Sequence, residues 1–373
     1  MQNYQIITQK NTWKAIGVMS GTSVDGLDIV AVKFEYSKQR WHYKIIKAVS
    51  ISYPQQLRTR LTECIHVSGE ELVVLDLELG RLIGQSVSDF LKEEDMQIDL
   101  IASHGHTVYH QPEIGITKQI GDGQSILEIT GILTINDFRT IDVIKGGQGA
   151  PLVPIGDKLL FPEYDICLNI GGFANISYDN QDGIRLAFDT GPANLLLNYL
   201  ARKMGKLYDM NGETARKGTC IPELINEMNA LPYYEMLHPK SLGLEWVEKN
   251  IYSKFEIGSY KIEDLMHTCV KHIAYQINRA ILRVRENQPN RKNRLNILIT
   301  GGGAYNQYLV ENLKKSQNIL NYILPDEVII DYKEALIFAF LGILRLKREV
   351  NILSSATGAR SDSIGGTIHD NLQ

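Results

Sequence analysis

The sequence predicts an α/β protein of two lobes that share one plan by duplication. Two observations carry this. Residues 14–51 read as three strands, KAIGVM, LDIVAVKFEY and HYKIIKAVSI, with a glycine-rich loop between the first two. YDICLNIGGFANISYD (Tyr164–Asp179) and DGIRLAFD (Asp182–Asp189) then repeat that order of strand, glycine turn, strand, turn and strand. Each meander is followed by alternating helix and strand patterns, and the two openings lie roughly 150 residues apart. A chain of 373 residues is also long enough to divide its core in two. The expected lobes are residues 1–137, with 350–373 packing back onto the first, and residues 138–349.

After the first meander, YPQQLRTRLTECIHV and EELVVLDLELGRLIGQSVSDFLKEED carry helical spacing, with Leu72, Leu75, Leu79, Leu82, Ile83 and Val87 on one face. DLIASHGHTVYH (Asp99–His110) reads as a strand ending in a polar loop, which sets His104 and His106 on one side of that strand. KGGQGAPLVPIGD (Lys145–Asp157) reads as a loop or crossing segment. The second meander leads into a helix at ANLLLNYLARKMG and a long amphipathic helix at Ile262–Glu286. NRLNILITGGGAYNQYLVENLKKS reads as strand, triple glycine and helix, and KEALIFAFLGILRLKRE (Lys333–Glu349) as a buried final helix headed by Glu334.

Composition narrows the function. A net charge of -4 gives no electrostatic reason for a nucleic-acid partner. The basic cluster RVRENQPNRKNR contains Pro289 and three asparagines and reads as a solvated loop. No stretch is apolar enough for a membrane span, and the first residues lack the apolar run of a secretory signal. Cys64, Cys167, Cys220 and Cys269 show no C-x-x-C spacing, so reduced thiols in a cytoplasmic protein are expected.

The chemistry sits in the loops. Gly21, Thr22, Ser23, Val24, Asp25, Gly26, Leu27 and Asp28 follow the first strand. Such a turn offers backbone amides and hydroxyls to an anion. Its acids would repel phosphate unless a cation lay between, and magnesium held largely through water at Asp25 or Asp28 answers that. A tight hairpin is the alternative. The second loop offers Gly171, Gly172 and Asn175 without acid; taken alone, a hairpin with a glycine bulge explains it better. Gly301, Gly302 and Gly303 fail the dinucleotide fingerprint but would let a base or ribose lie against the backbone. Two glycine hairpins with a late strand–GGG–helix turn suit a nucleotide clamp better than any one loop does.

Asp189, in FDTGPANLLLNYL, ends an apolar strand beside a helix start that contains Asn194. It is placed to act as a general base, or else to cap that helix. In SHGHTVYHQP, sugar contacts suit the histidines better than zinc does, given the lack of nearby carboxylate or thiol ligands. Arg139 would meet a carboxylate or phosphate, or pair with Asp137 or Asp142. Glu334 suits a helix dipole in any case.

Taken together, GVMSGTSVDGLD (17–28), SHGHTVYHQP (103–112), NDFR (136–139), GGQGAPLVP (146–154), NIGGFANI (169–176), FDTGPAN (188–194), YDMNG (208–212), TGGGAYN (300–306) and ATGAR (356–360) resemble the anhydro-N-acetylmuramic acid kinase family. His106 and Ala193 stand where that family often has Gln and Gly, and the segment around Leu231–Leu244 matches less clearly. The resemblance implies an actin-like fold of duplicated ribonuclease H-like domains with an ATP cleft between lobes. It implies ATP, Mg2+, a small sugar substrate and a homodimer, in bacterial cell-wall recycling. It assigns Asp189 as the base toward water, Gly21–Asp28 to the ATP phosphates, and Glu334 to the sugar and water. His104, Arg139 and Asn194 then fall to substrate, Gly171, Gly172 and Asn175 to phosphate, and Gly301–Gly303 to adenosine. Another sugar kinase of this fold and a non-metabolic actin-like ATPase are the alternatives.

Overall fold

A computed structural model describes residues 10–21, 24–92, 96–238, 240–256, 260–286, 294–315 and 318–371. Thr22 and Ser23 of the expected phosphate loop lie outside the described residues, as do residues 287–293 of the basic cluster.

The chain forms two compact units, residues 1–161 with 332–373, and residues 162–331. The boundaries thus differ from those expected at 137/138 and 349/350. Aromatic packing shows why. His104 meets Phe338 at 4.8 Å, Tyr43 meets Phe161 at 5.5 Å, and Phe34 meets Phe340 at 5.6 Å, so residues past the expected cut at 137/138 belong to the first core.

The first unit contains β1 (Thr12–Ser20), β2 (Gly26–Ser37), β3 (Arg40–Ser52), β4 (Leu100–Ser103), the hairpin β5 (His106–Gln111) and β6 (Ile116–Ile120), and β7 (Thr134–Asn136). The second contains β8 (Ile166–Ile170), β9 (Phe173–Asp179), β10 (Arg185–Pro192), β11 (Leu295–Thr300) and β12 (Leu320–Ile323). The closing strand β13 (Thr367–His369) returns to the first. The sheet orders are β3-β2-β1-β4-β7-β13 and β10-β9-β8-β11-β12. In both, the first meander strand lies inside the sheet, antiparallel to the second and parallel to the fourth. The remaining strand pairs, meander second with third and fourth with fifth, also agree in direction. The duplication is therefore one of topology, and it is the ribonuclease H-like topology.

Alternation in β1 and β2 serves two apolar faces. Ile16, Val18, Leu27 and Ile29 pack with Leu75, Leu79, Ile83 and Val87 of the helix Gly69–Leu91. That helix starts with a capping box in which Ser68 and Glu71 satisfy each other's amides. In the second unit the long helix Ile262–Glu286 buries Met266, Val270, Ile273, Ile277 and Ile281 against β8, β9 and β11. Among the described residues no helix is long and apolar enough to cross a membrane.

The helix expected to start at Lys333 runs Glu327–Leu346, so Glu334 lies in its interior and not at its head, and a short helix, Ser354–Thr357, follows it. The β-branched run Val328–Ile330 hides this start in the sequence, since such residues favour strands. The helix comes very close to β1. A Cβ built on Gly17 would stand 1.8 Å from the carbonyl oxygen of Ala335. Backbone cannot yield as a side chain end can, so we expect Gly17→Ala to lower stability by about 3 kcal/mol. Urea denaturation checks this as a fall in midpoint at unchanged slope.

Candidate active site

The loop after β1 is closed by the Val24 amide donating to the Gly21 carbonyl at 3.1 Å, with Val24 at φ 55°. That left-handed turn reverses the chain between two strands. Its two acids differ. Asp25 is exposed and pairs with Arg58 at 2.8 Å. Asp28 lies on β2 opposite Met19 and Ser50, and accepts from the Ser50 hydroxyl. Below it Tyr53 donates to Ser20 at 2.7 Å, and burial, with Asp28 nearby, pushes the phenol up to about 12.

Three expected substrate residues come together around Arg139. Its Nε donates to His104 Nε2 at 2.9 Å and a terminal nitrogen donates to the Gly149 carbonyl at 2.6 Å. Burial pulls Arg139 down to about 10, with Glu334 and Asp142 opposing, so it stays charged at neutral pH. Burial, then Arg139, hold His104 well below the usual imidazole range. The neutral ring donates from Nδ1 to the Gly105 carbonyl at 2.8 Å and accepts at Nε2. Burial pushes Glu334 up, while Lys333 and Arg139 favour its charge. Arg139 therefore makes its hydrogen bonds to His104 and Gly149. Asp137 takes the Thr140 hydroxyl at 2.6 Å, and Asp142 takes the Thr357 hydroxyl and the Gly149 amide. The sequence does not reveal that Thr357 of ATGAR pins the GGQGAP loop through Asp142, because the two are 215 residues apart.

His104 and His106 do not share a strand face. Gly105, at φ 69°, turns the chain between β4 and β5. Beyond Glu334, Lys333 and Asp157 form a buried ion pair at 2.8 Å that sequence spacing does not announce.

In the second unit, strand register sets Asn169, Asn175 and Asp189 directly opposite one another on β8, β9 and β10. All three are half-buried, while Leu168, Ile170, Ala174 and Ile176 alternate into the core. Asp189 does not cap the following helix. Its Oδ2 accepts the Leu242 amide at 3.0 Å. Burial pushes the Asp189 carboxyl up to about 6, with the Leu242 amide and Lys240 acting the other way. Such a group is ionised at neutral pH yet basic enough to take a proton.

Gly171 and Gly172 do more than offer amides. The Gly171 amide donates to the Phe173 carbonyl, and the two glycine carbonyls accept from Ala193, Asn194 and Leu195. The loop thus holds the start of the helix Asn194–Lys203 beside it. The three late glycines divide by role. A Cβ on Gly301 would meet Asn169 Oδ1 at 2.5 Å and one on Gly303 would meet Ile170 Cγ2 at 2.2 Å. Those two are glycine for packing. Gly302 faces a cavity of about 460 Å3 shared with Asn194, Tyr208, Asn211, Tyr305 and Asn306. The Tyr208 and Tyr305 rings are largely exposed there. No group of His, Cys, Asp and Glu that could form a metal cage occurs among the described residues.

The duplicated sheet order, with a glycine turn opening each sheet, places the protein in the actin-like α/β class. A family model described as anhydro-N-acetylmuramic acid kinase matches residues 13–371. Relatives of that name include proteins from Francisella tularensis subsp. novicida, 36% identical over 95% of this chain and 98% of the relative, and Haemophilus influenzae, 35% over 93% and 95%. Another, from Bacillus thuringiensis subsp. konkukian, is 31% identical over 95% and 98%. The chain belongs to the anhydro-N-acetylmuramic acid kinase family.

The raised carboxyl of Asp189 has a consequence for stability. Unfolded, the group loses its proton near 3.8; folded, it keeps it to about 6. The folded chain binds the extra proton between these values, so stability falls as pH rises through that window and the full penalty stands above it. We expect Asp189→Asn to be the more stable protein by roughly 1–3 kcal/mol at about pH 8, with a smaller gain at about pH 5. Denaturation at both pH values checks the sign.

Proposed function

We propose that the chain is an ATP-dependent kinase that opens 1,6-anhydro-N-acetylmuramic acid with water and phosphorylates it to N-acetylmuramic acid 6-phosphate, in bacterial cell-wall recycling. The observation that supports this best is Asp189, half-buried in a polar row and basic enough to accept a proton. Asp189 takes one proton from water as the water oxygen attacks the anomeric carbon. The bond from that carbon to the bridging O6 breaks, and O6 keeps the electron pair. O6 then attacks the γ-phosphorus and ADP leaves. The second water proton stays on the new anomeric hydroxyl, and Asp189 returns its proton to solvent. Protein help for phosphoryl transfer is mainly alignment and neutralisation of charge.

Roles follow from chemistry. Arg139, held by His104, presents its remaining N–H groups to sugar oxygens, with Glu334 accepting sugar or water hydrogens. Asn194 joins the substrate-binding set. Gly21–Asp28, Gly171, Gly172 and Asn175 serve the phosphates. The Asn194–Lys203 helix adds its positive end next to Gly171. The cavity behind Gly302 takes the adenosine, with Tyr208 and Tyr305 against the base. Mg2+ would accompany ATP and neutralise phosphate charge. Asp28 suits it through water, because Asp25 is already engaged by Arg58. We also propose a cytoplasmic homodimer.

The decisive experiment is product analysis with ATP, magnesium and the anhydro sugar in 18O-labelled water. Label at the anomeric hydroxyl of a 6-phosphate product is expected. Phosphorylation of ordinary N-acetylmuramic acid alone points to another sugar kinase, and ATP-dependent sedimentation without sugar product to an assembling ATPase. Asp189→Asn is expected to lose turnover by a factor of about 1,000 or more with nucleotide binding retained. Gly302→Val is expected to raise the KM for ATP about tenfold at unchanged melting temperature, since its side chain enters the cavity.

A further inference from the structure

The main-chain and phenolic contacts to Asp189 come from one segment, Tyr233–Leu242. The Asp189 amide donates to the Lys240 carbonyl at 3.2 Å, the Leu242 amide donates to its carboxylate at 3.0 Å, and the Tyr233 hydroxyl donates to its carbonyl at 2.7 Å. The Lys240 ammonium donates to the Tyr233 carbonyl at 3.2 Å and lies 4.6 Å from that ring's centre and 5.6 Å from the Phe188 ring. These contacts close a loop: Tyr233 holds Asp189, Lys240 holds Tyr233, and Lys240 in turn takes the Asp189 amide.

The clamp rests on a rigid support. Tyr233 and Tyr234 lie in the turn Pro232–Glu235. Arg283 donates to the Tyr234 carbonyl at 2.7 Å, and Arg279 and Arg283 both engage Glu235. Tyr234 donates to His272 Nε2 at 2.8 Å, and His272 donates from Nδ1 to Asn229 at 2.7 Å. Burial pulls His272 down to about 3, so it is neutral and this tautomer is fixed. The Tyr234 ring also fills the space over Gly191, where a Cβ would stand 3.2 Å from Cε1, two residues after Asp189.

We propose that Tyr233 and Lys240 are positioning residues for the base. Tyr233 fixes the main chain at Asp189, and the Lys240 ammonium, seated over the rings of Tyr233 and of Phe188, the residue before Asp189, lowers the carboxylate's proton affinity. The inference rests on the reading of Asp189 as base. Groups around Lys240 set its own charge. Burial, then Arg283 and Arg279, pull it down to about 8, while Glu235 and Asp189 oppose them. His238 stacks on Phe188 at 5.8 Å and completes the surroundings. Lys240 is therefore charged over the range in which Asp189 loses its proton. Only the ionised carboxylate works as base, so turnover rises with pH through the Asp189 transition. Loss of the Lys240 charge moves that rise to higher pH.

The test is the pH profile of kcat, with KM for both substrates, for the full chain and for Lys240→Met, Lys240→Arg, Tyr233→Phe and Asp189→Asn. We expect Lys240→Met to move the acidic limb to higher pH by about half a unit or more, with turnover at about pH 6 falling some threefold and KM unchanged. Lys240→Arg should restore the limb. Tyr233→Phe should cut kcat about tenfold and leave the limb in place, because its hydroxyl meets a carbonyl and not the carboxylate. Lys240→Gln replaces the Met variant if that one does not fold. An unmoved limb in the uncharged variants, or parental kcat in Tyr233→Phe, overturns the clamp while an inactive Asp189→Asn keeps the base. Turnover retained in Asp189→Asn overturns both.

Discussion

Partial burial of one carboxylate is the constraint on which the second unit is built. For the base proposed above, an aspartate in water has too low a proton affinity, and a fully buried one would stay protonated. Asp189 lies between these limits. Asn175 opposite it and Asn169 one strand further are polar but uncharged, so the row sets no opposite charge against it. The Leu242 amide gives one strong hydrogen bond. A paired guanidinium in its place would have pulled the proton affinity down by more and left a poorer base.

The first unit solves the opposite problem, that of holding a buried cation. Arg139 would be costly to bury with its donors unmet. It donates to a neutral imidazole and a carbonyl, with Glu334 and Asp142 supplying negative charge nearby. His104 must be neutral for this to work, since an imidazolium would present a donor where Arg139 needs an acceptor. The bracing of His104, Arg139, Gly149, Asp142 and Thr357 ties four separate sequence motifs into one structure. The same network that makes the arginine tolerable therefore fixes its direction.

Much of this was legible from residue order. Both meanders, the glycine turns at their heads and the helix Gly69–Leu91 follow from local alternation, helical spacing and turn chemistry. The apolar stripe of that helix is buried in the structure, with Leu72 and Leu82 at its margin. The misreadings have local causes. Gly105 breaks what looks like one strand with two histidines on a face, and Val328–Ile330 disguise a helix start. The contacts of Asp189 were not legible at all. Two of them involve main-chain groups of Lys240 and Leu242, which any residue type supplies, and the third crosses 44 residues. The separation of Gly302 from Gly301 and Gly303 shows only in three dimensions, because a glycine needed for packing and one that lines a cavity look alike in a sequence.

The two copies of the topology use their opening turns differently, and the difference is electrostatic. The β1–β2 turn carries acids and so can serve an anion only in company with a cation. The β8–β9 turn carries none. Its glycine carbonyls are taken by the first amides of the Asn194–Lys203 helix, which fixes the positive end of a ten-residue helix at that turn. One turn thus keeps a carboxylate of the kind that suits a hydrated cation, and the other keeps a backbone dipole of the kind that suits an anion. Sheet order fixes where each turn stands in its own unit, at the end of the first meander strand. It does not fix the charge of the turn, because the ladder is made by main-chain groups that every residue type carries. The topology can therefore be kept in both copies while the chemistry of the opening turn diverges.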